Sequence, residues 1–269
     1  MKIAELKNIL NQNPTQEFIE NLKSDKRISA QKLLKKYYLD LEKEKKAKMD
    51  FKNLLKYEDK YWEKNFKYII GIDEAGRGPL AGPLVVAGVI LPNDIYIAGL
   101  NDSKKLSEKK RESLYTEICK KAISIVVHIV SVADIDKYNI YHATLKSMTT
   151  IIKKNPHQID IALIDAMPVK INNLPIIPII KGDSKSANIA AASIIAKVTR
   201  DRMMIEIAKD YPEYDFDSNK GYGSRKHMDV INEIGFTKWH RRSFEPVKTL
   251  SENEKNKMVD QDTKLIILK

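Results

Sequence analysis

From residue 68 onward, short apolar runs rich in β-branched residues alternate with longer stretches whose apolar positions recur every three or four residues. The short runs fit buried strands and the longer ones helices with a single buried stripe, which together predict an α/β domain. Strands are predicted over residues 68–73, 84–91, 123–132, 161–165 and 176–180, and helices over 107–121, 140–154, 184–210 and 224–234. Pro178 has no backbone donor, so the last strand belongs at a sheet edge. Three early strands joined by short links, then helices alternating with strands, predict a mixed central sheet flanked by helices.

Residues 1–66 have a different texture: rich in lysine, free of glycine, and patterned throughout at helical intervals. Leu33, Leu34, Tyr37, Tyr38 and Leu41 form one stripe, and Phe51, Leu54, Leu55 and Glu58 continue the pattern beyond a charged stretch at 42–48. Asn13-Pro14-Thr15 and Ser24-Asp25 read as helix starts, since proline suits the first turn and serine or aspartate can cap it. This predicts a helical N-terminal extension that either rides on a nucleic-acid backbone or packs its stripe on the main domain. Residues 249–269 are mostly polar, rich in charge, and lack periodicity until 265–268, which predicts a loosely ordered tail. The chain therefore reads as an extension over 1–66, a catalytic domain over 67–248 and a charged tail over 249–269.

Composition narrows the partners. A net charge of +11 suits a polyanion, because lysines and arginines release condensed counterions when they meet phosphates, although solvated lysines give the same total. No apolar run approaches the roughly 20 residues a membrane helix needs, so no membrane partner is expected. The start, Met1-Lys2-Ile3-Ala4-Glu5, lacks the apolar core of a signal peptide, and a cytoplasmic protein is expected. Cys119 is the only cysteine, which excludes an internal disulfide and a thiolate cluster; any metal must use oxygen or histidine ligands.

Candidate chemistry sits where apolar runs end in acids. Residues 68–72 run into Asp73-Glu74, and residues 161–164 into Asp165. If these strands are parallel neighbours, their carboxyl ends emerge at one edge of the sheet, where open α/β sheets place their sites. Adjacent residues face opposite sides of a strand, so Glu74 is expected where the strand already breaks into the glycine-rich turn. Asp183 follows the edge strand and precedes the long helix, which it would otherwise simply cap. Clustered carboxylates repel one another unless cations sit among them. An oxygen-only set suits magnesium or manganese, and two such ions roughly 4 Å apart can hydrolyse a phosphodiester without a serine or histidine nucleophile.

The residues around these acids are more specific than the acids. The run from Asp73-Glu74-Ala75-Gly76-Arg77-Gly78 through Pro79-Leu80-Ala81-Gly82-Pro83 resembles the opening signature of ribonuclease HII, the type 2 ribonuclease H family. The likeness continues through Asp102-Ser103-Lys104-Lys105-Leu106, Lys181-Gly182-Asp183-Ser184, Ala190-Ala191-Ala192-Ser193-Ile194, Ala196-Lys197-Val198-Thr199-Arg200-Asp201, Lys220-Gly221-Tyr222-Gly223 and His240-Arg241-Arg242-Ser243-Phe244. The resemblance implies a ribonuclease H-like fold and endonucleolytic cleavage of the RNA strand of RNA–DNA hybrids, leaving 5′-phosphate and 3′-hydroxyl ends. It also implies incision 5′ of single ribonucleotides embedded in duplex DNA. Asp73, Glu74 and Asp165 match the family's metal-binding acids, and Asp183 matches the one that completes the active site. Ala166 departs from the family, which usually has glycine after that aspartate.

Gly76-Arg77-Gly78 lets backbone amides approach a ligand, and the arginine offers a planar donor set for phosphate; the resemblance implies contact with the ribonucleotide and its 2′-hydroxyl. Tyr222, between two glycines, could stack on a sugar or base at the RNA–DNA step. Ser193, Lys197 and Arg200 share one face of the long helix and read either as a phosphate-holding face or a solvated stripe, while Lys104 could steer the backbone. His227 and His240 read as structural or phosphate-contacting residues rather than metal ligands. A monomer is expected. Rival readings are a catalytically silent basic nucleic-acid-binding protein and another nuclease of the same fold, such as ribonuclease HIII, a Holliday-junction resolvase or an integrase.

Overall fold

The computed structural model describes residues 1–252 and 263–269; the part of the predicted tail at 253–262 lies outside the described residues. Packing divides the chain into two compact units, Met1–Lys52 and Asn53–Lys269.

The first unit is helical. It comprises α1 (Ile3–Leu10), α2 (Gln16–Lys23) and most of α3 (Ile28–Leu54). Leu6, Leu10, Ile19, Leu22, Ala30 and Leu34 form its core, and Leu33 and Tyr37 of the predicted stripe pack against it. Tyr38 of that stripe is exposed. A helix does start after Asn13-Pro14-Thr15, but Thr15 is the cap of α2, its hydroxyl accepting from Phe18 N at 3.2 Å, and Pro14 precedes the cap rather than entering the first turn. Ser24 does not start a helix: it terminates α2, its hydroxyl donating back to Asn21 O at 2.8 Å.

The second unit opens with α4 (Lys56–Trp62), which the sequence assigned to the extension. The strands β1 (Ile69–Ala75), β2 (Leu84–Ile90), β3 (Ser124–Val130), β4 (Ile161–Asp165), β5 (Ile176–Ile179) and β6 (Lys264–Ile267) form one mixed sheet in the order β5-β4-β1-β2-β3-β6. β1 pairs antiparallel with β2 and parallel with β4, and β5 closes one edge, where Pro178 costs no ladder bond. The helices α5 (Glu108–Lys121), α6 (Val132–Lys153), α7 (Ala187–Asp210), α8 (Phe216–Asn219), α9 (Arg225–Ile234) and α10 (Val247–Glu252) complete the unit.

Two glycines let helices close on the sheet from opposite faces. A Cβ on Gly71 would lie 2.2 Å from the carbonyl carbon of Asn188 in α7, and one on Gly88 2.4 Å from Ile151 Cγ2 in α6. Gly71 pairs with Val89 and Gly88 with Ile72, so the two glycines face opposite ways. α7 is therefore seated directly against β1, the strand that carries Asp73 and Glu74.

Three elements depart from the sequence reading. β1 continues through Ala75, with Glu74 still opposite Val86, so the strand does not break at Glu74. The predicted third strand ends at Val130, Ser131 caps α6, and α6 then kinks at Asn139 (φ 58°, ψ 162°). Asn139 caps the next turn, its side-chain oxygen accepting from His142 N at 3.0 Å. The end of the expected loose tail is ordered: Lys264–Ile267 forms β6 and pairs antiparallel with the outer edge of β3. Among the described residues no helix is long and apolar enough to cross a membrane.

Candidate active site

Parallel pairing of β1 and β4 sets Ile72 opposite Ile164, so Asp73 and Asp165 emerge side by side at the carboxyl ends of adjacent strands. After β5 the chain makes a short turn, Gly182–Ser184, entered by Lys181 in a left-handed conformation. Gly182 N donates to Asp165 Oδ1 at 2.7 Å, which docks the Asp183 turn against β4. Asp73, Glu74, Asp165 and Asp183 thus lie close enough to perturb one another electrostatically, and Asp102 acts on Asp183 as a fifth acid.

Ala166, where the resemblance expects glycine, has a φ of +46°. A left-handed residue with a Cβ costs about 1 kcal/mol, which gives the family preference a physical basis. The chain bears that strain and still donates Ala166 N to Ile179 O at 3.2 Å.

The acids carry the electrostatic signature of crowding. Burial raises Asp73 well above the usual carboxylate range, and Glu74 and Asp165 raise it further, against hydrogen bonds from Ser193 and Glu74 N. Glu74 is raised chiefly by burial, with Arg77 opposing at 3.5 Å between Nη1 and Oε1. Asp183 is raised by burial, then by Asp102 and Asp165, with Lys104 opposing. Glu74 Oε2 is buried and has no hydrogen-bond partner. A buried carboxylate oxygen without a donor, beside like charges, fits a cation rather than a proton donor of the protein. No three carboxylate, imidazole or thiolate groups among the described residues close into a finished metal cage. Magnesium does not require one, because it takes one or two carboxylates and completes its shell with water and phosphate oxygens.

The glycine-rich turn between β1 and β2 is held from inside by two buried arginines. Arg241 donates to the carbonyls of Gly76 (2.6 Å), Arg77 (3.0 Å), Gly82 (2.9 and 3.1 Å) and Pro83 (3.3 Å). Arg200 donates to Pro83 O, Ala81 O and Lys220 O at 2.9 to 3.0 Å. Among the described residues neither guanidinium has a carboxylate partner in its hydrogen bonds, and burial lowers Arg200 to about 10 and, with Arg200 as a like charge beside it, Arg241 to about 9. Gly76 must be glycine: its φ is +96° and a Cβ would meet Arg200 Nε at 2.1 Å. Arg200 is therefore a clamp and not part of a phosphate-holding face.

The other predicted recognition residues divide. Arg77 is exposed beside Glu74. Tyr222 is 48% exposed, and its ring edge faces Gly78, where a Cβ would stand 3.6 Å from Tyr222 Cε1. Lys104 faces the acids: burial lowers its ammonium, but Asp183, Asp73, Asp102 and Asp165 together raise it. Ser193 is buried, its hydroxyl 2.9 Å from Ser103 Oγ, and it favours the charged form of Asp73, so it serves the acid rather than a substrate. Lys197 is tied to Asp201 at 2.8 Å one turn along α7.

The histidines are a structural relay. Thr237 N donates to His240 Nδ1 at 2.9 Å, so the His240 proton sits on Nε2 and donates to His227 Nε2 at 2.9 Å. His227 Nδ1–H then donates to Tyr222 O at 2.8 Å, anchoring the loop that carries the exposed ring. Both imidazoles are buried against Tyr214 and Phe216.

Sequence reasoning missed Asp102, Arg241 and Glu58, the last a fully buried acid on α4. Asp102 precedes Ser103-Lys104 in a run already quoted as a motif, which was its one available signal.

Comparison with known proteins agrees with this geometry. Residues 70–247 match the family described as Ribonuclease HII, and residues 2–62 match the Ribonuclease HII N-terminal domain. A Ribonuclease HII of Geobacillus sp. (strain WCH70) is 49% identical over 231 residues, 86% of this chain and 83% of the relative. One of Bacillus cereus (strain G9842) is 49% identical over 252 residues, 93% of this chain and 98% of the relative. Among solved structures, the ribonuclease H2 of Pyrococcus horikoshii OT3 matches with a TM-score of 0.59 at 26% identity, covering 69% of this chain and 97% of that one. A chain of the PCNA:RNase HII complex from Archaeoglobus fulgidus matches at 0.54 and 29%, covering 66% and 95%.

Proposed function

The chain belongs to the ribonuclease HII family and is a ribonuclease H with the mixed sheet of that fold; from that premise we propose that it hydrolyses the RNA strand of RNA–DNA hybrids and incises 5′ of single ribonucleotides in duplex DNA. The products are a 5′-phosphate and a 3′-hydroxyl. The observation that carries the proposal is the meeting of Asp73, Glu74, Asp165 and Asp183 beside the Gly76-Arg77-Gly78 turn.

Asp73, Glu74 and Asp165 are the ligands for divalent cations, and Asp183 completes the set. Two magnesium or manganese ions supply activation of the attacking water and stabilisation of the departing oxyanion when bound. Arg77 is free enough to leave Glu74 for a substrate phosphate, since their contact is long and exposed. The amides of the turn approach the ribose at its 2′-hydroxyl, and Tyr222 stacks on the sugar or base at the RNA–DNA step. Lys104, held over the acids, neutralises the scissile phosphate as it arrives.

The test uses end-labelled duplexes, one carrying a single ribonucleotide and one an RNA tract, with and without chelator. Cleavage of both in magnesium or manganese, abolished by chelator and by Asp73→Asn with hybrid binding retained, is the expected outcome. Salt-sensitive binding with no metal-dependent product would instead mean a silent nucleic-acid-binding protein. Full turnover by Asp73→Asn would remove Asp73 from the mechanism.

A further inference from the structure

Glu58 is the one acid of α4 with no exposure at all, and its surroundings are apolar: Ile69, Ile161, Leu163, Ile179 and Ile189 form the cluster on which Tyr57, Tyr61 and Trp62 of the same helix pack. A carboxylate is rarely buried unless it is paired, and the polar contacts of Glu58 are both neutral donors at the start of α7. Oε1 accepts from Ser186 Oγ at 2.5 Å and from Asn188 N at 2.9 Å, while Oε2 is buried with no hydrogen-bond partner. Ser186 is the cap of α7, its hydroxyl oxygen accepting from Ile189 N, and Asn188 Nδ2 donates to Ile69 O of β1 at 2.6 Å.

The same cap reaches the acid cluster through the backbone. Ser186 N and Lys185 N both donate to Gly182 O at 2.9 Å, which fixes the turn that carries Asp183. Gly182 N in turn donates to Asp165 Oδ1. One continuous set of hydrogen bonds therefore joins Glu58 to Ser186, to the Gly182 peptide, to Asp165 and the Asp183 turn. It also ties α7 to β1 four residues before Asp73.

We propose that Glu58 is a positioning residue for the acid cluster, so that α4, which falls within the N-terminal family region, is part of the catalytic apparatus. The inference rests on reading that cluster as the metal centre. Its content is geometric: without an acceptor at Oε1, the Ser186 hydroxyl and Asn188 amide lose their partner in an apolar setting, and the turn holding Asp183 and Asp165 loses its register. Glutamine keeps that acceptor and alanine removes it. Aspartate is one methylene shorter and cannot reach both donors from the same backbone.

The experiment compares full-length wild type, Glu58→Gln, Glu58→Ala and Glu58→Asp at a temperature where circular dichroism shows each to be folded. Manganese binding is titrated calorimetrically without nucleic acid, and kcat and KM are measured separately on a hybrid duplex. Glu58→Ala should bind manganese about tenfold more weakly and lose about tenfold in kcat with KM unchanged, the range found for residues that orient metal ligands. Glu58→Gln should restore both. A folded Glu58→Ala with wild-type manganese affinity and kcat overturns the proposal. Should the alanine variant not fold, Glu58→Asp is judged by the same two readouts and overturns the proposal on the same result. Wild-type protein that binds no manganese and cuts nothing removes the premise instead, a failure visible before any variant is made.

Discussion

Acid should loosen the second unit through one side chain, His240. Burial, and then the neighbouring His227, lower its imidazole to about 3, against 6.5 in an unfolded chain. Between those values the unfolded state takes up a proton that the folded state refuses, so stability falls as pH falls. At pH 5, 1.5 units below the unfolded value, the difference is about 2 kcal/mol, nearly all of it absent at pH 7. The structural reason is the relay: a proton on His240 Nδ1 would face Thr237 N instead of accepting from it, within van der Waals reach of Tyr214 and Phe216. Urea unfolding followed by tryptophan fluorescence suits the measurement, since Trp62 and Trp239 both lie in that unit. Wild type should lose about 2 kcal/mol more between pH 7 and pH 5 than His240→Gln, whose amide does not titrate. Only the difference between the two pH values is read, so a uniform loss of stability in the glutamine variant does not enter the comparison. Equal losses in the two proteins would refute the assignment of the relay as neutral.

Two further outcomes follow from the turn and its neighbours. Tyr222→Ala should lose activity on a single embedded ribonucleotide more than on a long hybrid, measured as the ratio of kcat/KM on the two substrates, and an unchanged ratio would deny Tyr222 a part in reading the junction. Arg241→Met leaves the carbonyls of Gly76, Arg77 and Gly82 without their guanidinium donor, a cost of about 3 kcal/mol or more by urea denaturation.

Much of this architecture was legible because burial writes itself into short apolar runs. The strand at Ile161–Asp165 coincides with its predicted limits, and its parallel pairing with β1 is the condition under which Asp73 and Asp165 were expected to meet. The edge position of β5 followed from Pro178 alone. What stayed hidden was hidden for physical reasons. Arg200 and Arg241 look like surface cations, because hydrogen bonds to distant backbone carbonyls leave no trace in local pattern. Glu58 lies in a lysine-rich helical stretch where an acid reads as solvated, and its donors are more than 120 residues away. β6 is short and follows a charged run, so only the unpaired edge of β3 gives it a place. Glu74 stays paired in β1 opposite Val86, where strand alternation led the sequence reading to expect a break.

The arginine clamp also sorts ions. With the carbonyl oxygens of Gly76, Arg77, Ala81, Gly82 and Pro83 turned onto guanidiniums, that turn has these oxygens already engaged and two fixed positive charges behind it. Two buried positive charges behind a turn whose carbonyls are already occupied disfavour a hard cation there and favour an anionic oxygen.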